Sequence, residues 1–206
     1  MQQVAASTGA FVAILADGSV VSWGAPDLGG DSSGVKDQLK SVKQVQATDN
    51  AFAAILADGS VVTWGDAAYG GDSSEVKDEL KGVQQIQATS GAFAALPADG
   101  SVVAWGFPTM GGDSSKVKDQ LKGVQQVQAT KSAFAAVLSD GSVVTWGSES
   151  YGGDSSEVND RLKNVKQVQA TTSAFAAVLA DGSVVTWGHP DYGGDISAVY
   201  DQMAEL

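Results

Sequence analysis

The sequence predicts a mainly β protein with short helices, built from five 41-residue repeats of one three-stranded unit. Three observations predict it. Trp23, Trp64, Trp105, Trp146 and Trp187 stand 41 residues apart with no slippage. Each lies in the same stretch, read in the second copy as AFAAILADGSVVTWGDAAYGGDSSEVKDELKGVQQIQAT. With Met1 set aside, residues 2–206 divide into repeats 2–42, 43–83, 84–124, 125–165 and 166–206, a single repeat domain spanning 1–206.

In the second repeat, Val45-Gln46-Ala47-Thr48 alternates apolar and polar residues, the pattern of a short half-buried strand. Asp49-Asn50 is turn material. Phe52 to Leu56 is an apolar run of strand length, as expected of a strand buried on both faces. Asp58-Gly59 offers the positive φ angles of a tight hairpin turn, and Ser60 to Trp64 returns as a β-branched, aromatic strand. Three strands joined by two short turns make an antiparallel meander.

The period then changes. Asp72-Ser73-Ser74-Glu75 reads as a capping box, and Val76, Leu80 and Val83 recur at i, i+4 and i+7, one stripe of a short helix. Gly82, with Ser41, Gly123 and Asn164 in other copies, suits the C-cap. One meander buries too little to stand alone, so the copies must pack on one another. An open solenoid needs polar end caps. Here Ile196, Tyr200 and Met203 make the last copy more apolar, and the whole number of repeats predicts a β-propeller-like toroid.

The run A-D-G-S-V-V-T-W-G followed by Y-G-G resembles the regulator-of-chromosome-condensation type of propeller repeat. The repeat length is similar to the short three-stranded blades of the β-lactamase-inhibitor protein propeller in that superfamily. The matching stretches are Gly82-Val83 through Ala88, Ala95 through Val102, and Ala104-Trp105-Gly106. A histidine that many family blades carry is replaced here by Ala51, Ala92, Ala133 and Ala174. Relatives are usually seven-bladed, so the resemblance implies the blade and leaves two assemblies open, a monomeric closed ring or a homo-oligomer. It implies an interaction platform and no single activity.

Composition narrows the function classes. Twenty-four acidic against 12 basic residues give a net charge of −12, which repels nucleic acid and the anionic face of a membrane. There is no cysteine for a disulfide, nucleophile or thiolate metal site. The N-terminus lacks a basic n-region, and with no cysteine this favours a cytoplasmic location. His189 is the lone histidine, and no nucleophile has a base beside it in sequence, so neither catalysis nor a cofactor or metal is expected. The five tryptophans read as packing between blades, with sugar stacking as the alternative. Asp31, Asp72, Asp113, Asp154 and Asp195 read as caps, and the paired glycines before them as too weak a motif for a phosphate site.

Two segments vary between copies. The first turn carries Asp49, Asn50 and Lys131; the segment after Trp-Gly carries Asp27, Leu28, Asp66, Tyr69, Phe107, Met110, Glu149, Tyr151, His189, Asp191 and Tyr192. A meander places both at one end, so these residues are the candidate contacts for a protein partner. Loops drift as readily as they recognise, and the recurrent tyrosines also suit packing beneath the loop. Two alternatives stand beside the protein-interaction reading: a multivalent carbohydrate-binding propeller, and a repeat scaffold or engineered array without a ligand of its own.

Overall fold

The computed structural model describes residues 2–199. Each repeat forms one three-stranded antiparallel sheet in sequence order. Blade 1 holds β1 (Gln3–Ala6), β2 (Ala10–Ile14) and β3 (Val20–Gly24), and blade 2 holds β4 (Val42–Ala47), β5 (Ala51–Leu56) and β6 (Val61–Gly65). Blade 3 holds β7 (Val83–Ala88), β8 (Ala92–Pro97) and β9 (Val103–Gly106). Blade 4 holds β10 (Val124–Ala129), β11 (Ala133–Leu138) and β12 (Val143–Gly147); blade 5 holds β13 (Val165–Ala170), β14 (Ala174–Leu179) and β15 (Val184–Gly188). The first strands of successive blades are neighbours, and their ends converge on one cavity, so they line the axis of a propeller-like array.

The middle strands are buried on both faces, as their apolar runs require. One face of each packs on the blade before and the other on the blade after. Ala10, Val12 and Ile14 of blade 1 meet Val45, Phe52, Ala54, Val62 and Trp64 of blade 2 in one core. The same core recurs between blades 2 and 3, 3 and 4, and 4 and 5.

Inside each blade, Phe and Trp are opposite each other on the second and third strands and stack at 5.1–5.5 Å between ring centroids. In blades 2 to 5 the pair seats on a glycine of the preceding blade. Gly70 has φ +94°, and a Cβ there would lie 2.6 Å from Phe93 Cδ2. Its carbonyl accepts a hydrogen bond from Trp105 Nε1 at 3.0 Å, and Gly29, Gly111 and Gly152 serve Trp64, Trp146 and Trp187 in the same way at the same distance.

Two local expectations are corrected. The Asp-Gly hairpin is a three-residue loop: Gly59 N–H donates to Leu56 O at 3.0 Å, and of Asp58 and Gly59 only the glycine has positive φ. The aspartate acts through its side chain instead, accepting from Ser60 N at 2.9 Å and Ser60 Oγ at 2.7 Å. The second correction concerns the helix. Ser74–Val76 is one 3-10 turn whose N-cap, Ser73, makes no side-chain cap bond, and Asp72 accepts from Ser74 N two residues on. The stretch between Gly71 and Gly82 is too short to propagate an α-helix, which needs several turns to offset its nucleation cost. Its purpose survives: Leu39, Leu80, Leu121 and Leu162 are buried in the four junctions. Gly82, Ser41, Gly123 and Asn164 adopt the positive φ expected of them. Tyr200 and Met203 lie outside the described residues.

Among the described residues four junctions are present, and the two outermost faces are uncovered. Trp23 is 45% exposed where Trp64 is 5%, and Phe11 is 47% exposed where Phe52 is fully buried.

Replacing Gly70 with alanine adds left-handed strain and a clash with Phe93, and is expected to cost about 3 kcal/mol in denaturant unfolding. Gly34→Ala, where a Cβ meets nothing within 4 Å, is expected to change stability by less than about 1 kcal/mol.

Hydrogen bonds from the serine two residues on hold the carboxyls of Asp17, Asp58, Asp99, Asp140 and Asp181 below their ordinary value of 3.8. Asp31, Asp72, Asp113 and Asp195 are lowered in the same way. A depressed native value stabilises the fold above the unfolded value, and that contribution is lost as pH falls through the depressed one. Thermal melts are therefore expected to hold steady down to about pH 5 and to fall below about pH 4.

Candidate recognition face

The two variable segments of each blade are tied together. Asp66 N–H donates to Asn50 O at 3.0 Å, joining the exit of the third strand to the first turn, and the other four blades repeat the bond. A hydroxyl makes the second tie: Thr48 Oγ1 accepts from Ala51 N and donates to Tyr69 O at 3.0 Å. Ser7, Thr89, Thr130 and Thr171 do the same for Leu28, Met110, Tyr151 and Tyr192. These hooks were not singled out from sequence; the signal was the hydroxyl residue closing every first strand.

First turns are also linked from blade to blade. The amides of Thr8, Asp49, Ser90 and Lys131 donate in series to the carbonyls of Asp49, Ser90, Lys131 and Thr172, at 2.8–2.9 Å. The five turns rim an axial cavity of about 610 Å³. Backbone geometry is thus constant around the rim while the side chain changes from Thr to Asp, Ser, Lys and Thr. Thr8, Ser90 and Thr172 join Asp49 and Lys131 there, with the Lys131 side chain exposed.

Further out, the segments after Trp-Gly form 3-10 turns ending in a left-handed glycine. Tyr69 of blade 2 tilts against Phe107 of blade 3 at 5.8 Å, and Met110 Sδ sits over Gly91, so three candidate residues converge across one junction. Leu28 packs on Gly9 in blade 1, with Asp27 exposed beside it. Asp66 Oδ1 accepts from Ala68 N at 2.9 Å, which makes it a cap first. Tyr69 and Tyr151 pack on junction cores, so their recurrence has a structural reason. In blade 5, His189 meets Tyr192 edge-on at 5.0 Å, and its Nδ1 accepts from Asp191 N at 3.3 Å. That group is not brought to the axial rim.

Grooves of about 830 and 900 Å³ lie outside the junctions of blades 4–5 and 3–4, with Glu149 in the walls of both. Trp187 and Trp146 line them but are only 5% and 4% exposed, leaving no indole face for a sugar ring. Among the described residues no cluster of His, Asp or Glu is arranged to hold a metal ion.

No family model and no curated protein matches the sequence. Solved structures do match. Human WBSCR16 superposes with a TM-score of 0.56 at 18% identity, over 90% of this chain and 61% of its own. Prp20p from Saccharomyces cerevisiae, the yeast RCC1, gives 0.59 at 19% identity, over 90% of this chain and 56% of its own. The chain has the regulator-of-chromosome-condensation-type propeller fold. The ectodomain of the Physcomitrella patens receptor kinase CR4 shares it at a TM-score of 0.51 and 16% identity, over 90% of this chain and 49% of its own. This chain spans less than two thirds of the length of each of these proteins.

Thr89→Val removes the hydroxyl that holds Met110 O and Ala92 N. It is expected to cost about 1–2 kcal/mol by leaving buried groups unpaired. Amide hydrogen exchange across 107–111 should quicken while the other blades stay unchanged.

Proposed function

We propose that this propeller is a non-catalytic protein-interaction module that binds its partner on the face carrying the first turns and the segments after Trp-Gly. One observation carries the reading: equivalent backbone positions, locked by hydrogen bonds around a common axis, present different side chains. A rigid scaffold with variable loops meets a partner at little ordering cost. Phe107 and Met110, partly exposed over Gly91, offer an apolar anchor, and Asp49 and Lys131 offer charges of both signs. The opposite face carries five near-identical Asp-Gly turns whose carboxylates are engaged with serine, a poor basis for discrimination. Prp20p has been studied for its binding to Gsp1p and histones, which supports protein recognition as a use of this fold. The carbohydrate reading loses support where the indoles are buried.

The test is selection of binders from a displayed peptide and domain library on the immobilised chain. Binding should fall at least tenfold in the double variant Phe107→Ala/Lys131→Glu and remain in Asp58→Asn/Asp99→Asn on the opposite face. Binders lost only in the second variant would overturn the proposal, as would none above background.

A further inference from the structure

Among the described residues the outer faces of blades 1 and 5 are uncovered, and they carry the two complementary sides of a junction that the chain makes four times. On blade 1, Val4, Phe11, Val21 and Trp23 stand where Val45, Phe52, Val62 and Trp64 stand on blade 2, yet they are 45–49% exposed. On blade 5, Val178 occupies the place of Ile14 and is 38% exposed, against 1% for Ile14. No described residue covers the aromatic seat either. Gly193 has the left-handed φ, +100°, of Gly29, Gly70, Gly111 and Gly152, but a Cβ there would meet only Thr171 Cγ2, at 3.9 Å. At the other four glycines it would strike the next blade's phenylalanine within 2.7 Å. Conversely, Trp23 Nε1 has no acceptor among the described residues, while the other four indoles each donate to such a glycine.

We propose that a second copy of this chain occupies these faces, head to tail, with blade 1 of one copy packed on blade 5 of the next. Phe11 and Trp23 then seat on the partner copy's Gly193, and the Trp23 N–H donates to that glycine's carbonyl. Closure within one chain would have to bend four junctions whose Trp-to-glycine bonds are all 3.0 Å long. A second copy satisfies both faces with every junction unchanged. The patch is apolar and contiguous, the kind of surface that marks an interface. Because the contact joins two different faces it is heterologous, so it closes a larger ring or continues as an open series. The net charge of −12 on each copy opposes the approach, so added salt strengthens association.

Sedimentation and light scattering on the full chain, across a hundredfold concentration range and two salt concentrations, test this directly. The expected result is a species of at least twice the monomer mass, favoured by protein and by salt, with tryptophan emission moving to the blue as it forms. Trp23→Lys and Val178→Lys each disable one face, and both substitutions fall on exposed side chains. Each variant alone should be folded by circular dichroism and monomeric by sedimentation. Mixed in equal amounts they should stop at a one-to-one heterodimer, since one intact face of each kind remains. A wild-type monomer at every concentration overturns the proposal. Within that outcome, blue-shifted Trp23 emission would mean that the ends close inside one chain. Association that survives in both variants would place the contact elsewhere and overturn it equally.

Discussion

Everything in this fold depends on one contact, the seating of a Phe-Trp pair on a left-handed glycine of the preceding blade. A three-stranded sheet presents two apolar faces and cannot bury either alone. The glycine removes the side chain that would hold the blades apart, and its carbonyl takes the indole N–H that burial would otherwise leave unpaired. The contact therefore fixes spacing and angle together. Four copies with one geometry turn five meanders into a coherent array, in the way that nearest-neighbour terms dominate other repeat proteins.

This contact explains which parts of the structure were legible in the sequence. Strand positions followed from period-two patterns and apolar runs, and the Trp-Gly spacing gave the repeat because Trp and the Asp-Gly turn sit on the same hairpin. The glycine seat could not be read locally. Gly70 and Trp105 are 35 residues apart, and a Gly-Gly pair before a capping aspartate looks like loop punctuation in any sequence. The short helix is a 3-10 turn and not two turns of α-helix for a related reason. Val76, Leu80 and Val83 do share a buried side, but what holds them is the next blade's core, not helical propagation. The Asp-Gly turn had the right residues and the wrong conformer, because serine two residues on supplies a side-chain bond that leaves Asp58 at negative φ.

The candidate face was legible in its placement and not in its chemistry. Meander topology alone puts the first turn and the third-strand exit at one end, and the hydrogen bonds to Asn50 O and from Thr48 Oγ1 tie them there. Beyond the recurrent tyrosines, whose packing the sequence suggested, it concealed that several varying residues also work inside the fold. Asp66 caps its own turn, Tyr69 and Tyr151 close junctions, and Leu28 fills the space over Gly9. Residues left free of such duty, among them Lys131, Asp27 and Glu149, carry charge.

Seating and recognition are separated along the blade, and this separation lets one repeat serve both. The junction uses the faces of the sheets, while the rim uses their ends. A change at Asp49 or Lys131 leaves the backbone series from Thr8 to Thr172 intact, because that series runs through main-chain atoms. A change at Trp64 or Gly70 would disturb two blades at once. The near identity of the copies in the strands and their divergence at the rim follow from that physical asymmetry. It also makes the end faces conspicuous: Phe11, Trp23 and Gly193 keep the residues of a working junction, although no described residue covers them.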